Sequence, residues 1–449
     1  MTRWHTPTCV SPDVTFSNDN WPNCGTCGRS CPPLEELLTS SQASNGASAL
    51  QFPVERPQGR MNLYWPPCVP YKRTHSSSHP GDIGSEMVVP VRKSVSKSSN
   101  TLDPLYGKTL DKTEFRVACL LAPIHENVPV HVSLETFSDD SHPEYETVSY
   151  IWGGENGDNS LRRPIFIGSY WDVLLQTENC WSMLRSIRPN RGERLVWVDA
   201  LCINQQNLEE RTSQVAKMRR IYEQCSRVIA YLGNDLVTQS KPFPQYRPLY
   251  ELHKASKDNE LFPDGHPHHA IFLGLHQLLR RKYFTRIWII QELLLPERIV
   301  FRIGDTEFRA DSTIISRITN YHLKSPTWWS TTAAPWVQYI AQKRIPTQHS
   351  ICDTFEVLRF SRKSHASDPR DRFFGIVALL SNERIQRDLA PDYSISYQHF
   401  CIGLFTHWIV NQRAYGLLYK ARTLLNPDPC APSWLPICNS SKAWNDILE

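Results

Sequence analysis

Three apolar runs in this chain end in residues that could do chemistry. Tyr145–Gly153 (Y-E-T-V-S-Y-I-W-G) closes on Ser149, Tyr150, Trp152 and Gly153. Leu195–Gln205 (L-V-W-V-D-A-L-C-I-N-Q) closes on Asp199, Cys202, Asn204 and Gln205. Arg227–Gly233 (R-V-I-A-Y-L-G) leads into Asn234 and Asp235. Glycine at such ends lets a ligand approach the backbone. Trp152 offers a face for a base, and Asp199 or Asn204 can bond ribose hydroxyls. Each has a plainer reading. Trp152 and Trp197 can fill a core, Asp199 can cap the following turn, and Asn204 and Gln205 can bond the backbone of their own loop.

These residues converge only if the elements beneath them do. Ligands of an open parallel sheet bind beyond the carboxyl ends of its strands. Phe115–Leu121 and Val128–Leu134 alternate like an opening hairpin. Glu146–Trp152 follows as a strand, and Pro164–Ile167 as a short extra one. Trp171–Ile187 reads as a helix ended by Pro189 and Gly192. Leu195–Val198 is an apolar, central strand. Glu209–Cys225 is an amphipathic helix with Val215, Met218, Ile221, Tyr222 and Cys225 on its stripe. Arg227–Leu232 is the next strand. This alternation predicts an α/β fold, a mainly parallel sheet flanked by helices. Lys241–Pro267 breaks the pattern as an inserted loop. Ala270–Arg281 and Phe284–Leu295 are helical, and Arg298–Ile303 reads as an edge strand. From Asp311 onward the pattern is helical, clearest over Ile351–Phe360, Arg372–Leu380 and Tyr397–Asn411.

The chain has 449 residues, a net charge of +4 and 40% hydrophobic residues. That charge is small for the length and makes no case for nucleic acid or an anionic membrane. No apolar run reaches the roughly 18 residues that span a bilayer. The N-terminus lacks the apolar core of a secretory signal, so a cytoplasmic, reducing compartment is expected. The thirteen cysteines then read as free, buried thiols.

Residues 1–111 are rich in Ser, Pro, Asn and Thr and read as a disordered arm with at most short helical turns, such as Leu34–Leu38. Within it, Cys24-x-x-Cys27-x-x-x-Cys31, with Cys9 or His5 nearby, could bind zinc. The second spacing is irregular and no clear fourth ligand follows, so no metal is assigned. Walker A, G-x-G-x-x-G, H-E-x-x-H and G-x-S-x-G motifs do not occur, which argues against NTPases, Rossmann dehydrogenases, zincins and α/β-hydrolases.

The quoted blocks resemble the heterokaryon incompatibility (HET) domain, a family of fungal self/non-self recognition proteins. Y-E-T-V-S-Y-I-W-G is similar to its first signature. V-W-V-D-A-L-C-I-N-Q-Q-N with E-E-R-T-S-Q-V-A-K-M-R-R-I-Y is similar to its second. R-K-Y-F-T-R-I-W-I-I-Q-E-L (Arg281–Leu293), D-P-R-D-R-F-F-G-I-V-A-L-L (Asp368–Leu380), P-D-Y-S (Pro391–Ser394) and P-S-W-L-P (Pro432–Pro436) follow in the family's order. The last block usually continues D-W, where this chain has Ile437 and Cys438.

The order of elements also resembles TIR domains, and Trp288–Leu293 is similar to the W-x-x-x-E-L segment of TIR domains that cleave NAD. That resemblance implies a TIR-like core and a catalytic role for Glu292, with Arg286 able to contact a phosphate. It makes NAD a possible substrate rather than a resident cofactor. Glu292 otherwise reads as a salt-bridge partner of Arg286 or Arg298. The expected organisation is therefore a disordered arm over 1–111, a HET α/β core over 112–310 and a mostly helical region over 311–449. The expected role is an effector of non-self recognition and programmed cell death, with protein partners or self-association. A non-catalytic assembly module is the alternative.

Overall fold

The computed structural model describes residues 2–45, 109–124, 127–238, 241–246, 268–310, 332–342, 352–380 and 395–423, with scattered positions between them. The chain opens with a small hairpin, β1 (Val14–Phe16) and β2 (Pro22–Cys24), and a helix, α1 (Leu34–Asn45). Then come β3 (Glu114–Leu121), β4 (His131–Ser138), β5 (Glu146–Ser149), β6 (Arg163–Ile167) and β7 (Asp172–Gln176). Helix α2 (Glu178–Ile187), β8 (Glu193–Trp197), the short α3 (Asp199–Cys202), α4 (Leu208–Gln224) and β9 (Val228–Tyr231) follow. A two-residue hairpin, β10 (Val237–Thr238) and β11 (Lys241–Pro242), precedes α5 (His268–Leu279) and α6 (Ile289–Leu294). The remaining elements are β12 (Ile299–Ile303), β13 (Thr306–Arg309), α7 (Cys352–Phe360), α8 (Asp371–Val377), α9 (Tyr397–Val410) and α10 (Gly416–Thr423).

Nine strands form one sheet in the order β13-β12-β9-β5-β8-β3-β4-β6-β7. The expectation of a mainly parallel sheet is corrected. The pairings β12–β9, β9–β5, β5–β8 and β4–β6 are parallel, while β12–β13, β8–β3, β3–β4 and β6–β7 are antiparallel. The fold is therefore α/β with a mixed sheet flanked by helices. Strand–helix alternation does place β8, β5, β9 and β12 side by side in parallel, but the hairpin β3–β4 enters beside β8 and reverses direction. A hairpin's short loop permits only antiparallel pairing.

The central strands are apolar because both faces are covered. Every residue of β9 is buried, as are Thr147, Val148 and Ser149 of β5. Helix α2 buries Cys180, Met183, Leu184 and Ile187, and Thr177 caps its N-terminus by accepting from the Cys180 amide. The segment read as a helix from Trp171 begins as a strand. Leu174 pairs with Ile165 and Asp172 with Ile167, across a turn where Gly168 and Trp171 take φ of 69° and 49°. Strand β12 is interior rather than an edge, because β13 folds back beside it.

Helix α4 starts at Asn207, whose side chain accepts from the Glu209 and Glu210 amides. Its inward face is more polar than its sequence stripe, since Glu210 and Gln214 are buried with Met218, Ile221 and Tyr222. Glu210 meets the guanidinium of Arg116 on β3 at 2.5 and 3.2 Å. A charge so deep needs such a partner.

The arm expected to be disordered contains a folded unit over residues 2–45. Thr2 exchanges two backbone hydrogen bonds with Val173 on β7. Trp4, Cys9, Cys24, Cys31 and Leu37 pack against Phe166, Val173 and Leu175. The unit therefore lies along the β7 edge of the sheet, which would otherwise present unpaired backbone groups. The Ser-rich stretches at 76–78 and 94–99 lie outside the described residues, as does most of Lys241–Pro267. The described cysteines are free thiols, and Cys119, Cys202, Cys225 and Cys401 are buried. Among the described residues, no helix is long and apolar enough to cross a membrane.

Candidate functional site

Ser149 is the last residue of β5 and is 1% exposed. Its hydroxyl donates to Oε2 of Glu292 on α6 and lies 2.6 Å from the hydroxyl of Tyr283. Since the Ser149 proton goes to the carboxylate, Tyr283 is the donor to Ser149. A relay Tyr283→Ser149→Glu292 results. Glu292 is 5% exposed, and its carboxyl is pushed up to about 7 by burial. The negative charge of Asp199 pushes the same way, while Arg286 and the Ser149 bond pull it back.

The next strand end contributes a second acid. Asp199 opens α3, accepting from the Ala200 amide at 2.7 Å and from the Trp152 indole at 3.0 Å. Burial raises its carboxyl too. Tyr150 follows Ser149. Its hydroxyl is buried near Cys180 and Asp199, and its carbonyl accepts from the Arg286 guanidinium. Two carboxyls, one arginine and one half-buried indole thus gather at the carboxyl ends of adjacent parallel strands. A carboxyl near neutrality can hold or take a proton at physiological pH.

Of the residues singled out from sequence, Ser149, Tyr150, Trp152, Asp199, Arg286 and Glu292 come together. The Arg286 side chain bonds the chain itself, at Tyr150, and acts on Glu292 through charge. Asn204 and Gln205 follow the plainer reading. The Asn204 side chain accepts from the Gln206 amide at 3.2 Å, and Gln205 donates to the Asp199 carbonyl at 2.9 Å. Gly153 is required by its own loop. A Cβ there would lie 2.6 Å from Asn159 Oδ1 and 2.8 Å from the Gly157 carbonyl carbon.

Sequence reasoning missed Tyr283, although it lies inside the quoted block Arg281–Leu293. It also missed Glu155, which accepts from the Lys282 and Tyr283 amides at 3.0 and 3.3 Å and so holds the turn carrying Tyr283. Asp235 belongs to the scaffold as well, forking onto Arg281 at 2.8 and 2.9 Å.

The sequence profile of the family described as Heterokaryon incompatibility protein (HET) matches residues 145–292. Residues 145–292 are therefore similar to a HET domain. The match runs from β5 to α6, so both ends of the Ser149–Glu292 bond lie within the matched segment. Heterokaryon incompatibility protein 6, OR allele, of Neurospora crassa is 32% identical over 196 residues, covering 36% of this chain and 29% of the relative. The chain therefore spans less than a third of that relative's length. No solved structure matches with significance.

Proposed function

We propose that this HET-domain chain is a cytoplasmic effector of non-self recognition and programmed cell death, and that the Ser149–Glu292 cluster is its reaction centre, cleaving NAD. The HET match and the named role of the relative support the first part. One observation carries the second: a buried carboxyl poised near neutrality beyond a parallel strand, with Asp199, Arg286 and Trp152 around it.

The nicotinamide nitrogen of NAD is cationic, so the ring leaves as a neutral molecule and keeps both electrons of the broken C–N bond. The ribose carbon becomes oxocarbenium-like, and the Glu292 carboxylate stabilises that charge. Water adds to the carbon and loses a proton, which Glu292 can take. The products are ADP-ribose, nicotinamide and one proton. Ser149 orients the carboxylate, Trp152 offers a stacking face, Asp199 a ribose acceptor and Arg286 a diphosphate partner. Full-length protein incubated with NAD should release nicotinamide, followed by chromatography, with a loss of about 100-fold in Glu292→Gln. No release, or equal release from the variant, removes this reading.

The 1% and 5% exposure of Ser149 and Glu292 favours a second reading, in which the cluster is an internal strut. The domain is then a non-catalytic module that triggers death through oligomerisation or partner recruitment. It requires that Glu292→Gln kill as wild type does, with cellular NAD unchanged.

A further inference from the structure

Four side chains in the N-terminal unit converge on one point. His5 Nδ1 and the sulfurs of Cys9, Cys24 and Cys27 all lie within 4.8 Å of one another. The Cys9 sulfur is 3.8 Å from His5 Nδ1 and 3.9 Å from the Cys24 sulfur, and Cys27 lies 3.6 Å from His5 Nδ1. A disulfide needs about 2.05 Å, so these thiols are not cross-linked. Zinc bonds of roughly 2.3 Å to sulfur and 2.0 Å to nitrogen, set tetrahedrally, place ligand atoms roughly 3.5–3.8 Å apart. The three separations of 3.6, 3.8 and 3.9 Å are close to that spacing.

Three further features fit a metal. His5 Nε2 lies 2.8 Å from the carbonyl of Tyr170, so Nε2 carries the proton and Nδ1 turns its lone pair to the sulfurs. Cys24 and Cys27 bracket a tight turn closed by the Gly28 amide on the Cys24 carbonyl at 2.8 Å, and Gly28 has φ 68°. That C-x-x-C turn aims both sulfurs to one side. Cys9, Cys24 and His5 are 6%, 2% and 5% exposed, which makes the site closed. Cys31, the third cysteine of the sequence cluster, stands outside it and packs with Leu37 in the apolar core of the unit.

We infer that His5, Cys9, Cys24 and Cys27 form a structural zinc site that clamps the N-terminal unit onto the β7 edge of the sheet. Fewer than about 50 residues rarely build a sufficient core without such a staple. The residues flanking His5 make contacts with β7 and the turn before it: Arg3 forks onto Asp172 at 2.9 and 2.7 Å, and the Trp4 indole donates to the Trp171 carbonyl at 2.8 Å. The site therefore lies in the connection between the hairpin and the sheet.

Full-length, tag-free protein is purified in zinc-supplemented medium and its metal measured by mass spectrometry. About one zinc per chain is expected. Cys27→Ser and Cys9→Ser should lose most of it, and Cys31→Ser, a buried control in the same unit, should keep it. Wild type exchanged with cobalt(II) should show the intense tetrahedral thiolate spectrum, which reads the site without any variant. Zinc-free wild type lacking that spectrum, or equal zinc loss from Cys31→Ser and Cys27→Ser, would overturn the assignment.

Discussion

The hydroxyl of Ser149 donates to Oε2 of Glu292 at 2.5 Å, joining positions 143 apart in the chain. The bond ties the end of β5 to α6 and favours the ionised carboxylate, against burial that favours the acid. Ser149→Ala should therefore raise the Glu292 carboxyl above about 7 and leave the Tyr283 hydroxyl without its acceptor. Loss of a buried partner costs about 1–3 kcal/mol. Urea unfolding gives the cost, and carboxyl NMR the titration.

Stability should depend on pH through Glu292. The folded chain holds this proton up to about 7, whereas an ordinary glutamate releases it near 4.5. Between those values the folded state binds more protons, so the contribution is full below pH 4.5 and is lost as pH rises through about 7. Wild type should lose about 3 kcal/mol relative to Glu292→Gln between pH 4.5 and 7.5. Parallel curves for the two proteins would show that Glu292 titrates normally.

Arg116 and Glu210 form an ion pair whose side chains are 2% and 3% exposed. Arg116→Met strands the carboxylate, and an uncompensated buried charge costs about 3–5 kcal/mol. Adding Glu210→Leu should recover part of that loss, though Glu210 also accepts from the Asn204 amide at 2.8 Å. A double-mutant cycle by chemical denaturation measures the coupling.

Gly153→Ala should destabilise by about 1–3 kcal/mol, because the new methyl meets backbone as well as the Asn159 side chain. Gly416→Ala is the contrast. It opens α10 with nothing within 4 Å of an added Cβ, and should leave the melting temperature unchanged or slightly higher.

Asp172→Ala should loosen the N-terminal unit without unfolding the sheet. It removes both acceptors of the Arg3 guanidinium. Hydrogen exchange should quicken at the Val173 amide, which donates to Thr2, and stay slow at Ile229 in the sheet centre. Unchanged exchange at Val173 would place the anchor elsewhere.

Local pattern by itself determined most elements. Apolar alternation marked β3 and β4, short apolar runs marked β8 and β9, and 3.6-residue periodicity marked α4, α5 and α7 to α9. Pattern and family blocks together brought Ser149, Asp199 and Glu292 into view. Periodicity reports which face of an element is apolar, not what covers it. Tertiary structure alone decided that β3 lies antiparallel beside β8, that Leu174 extends a hairpin, and that Tyr283 completes the Ser149 relay. It also decided that Cys9 and His5, rather than Cys31, join Cys24 and Cys27. In each case the deciding partner lies many positions away or across a turn, and packing of the whole domain selects it.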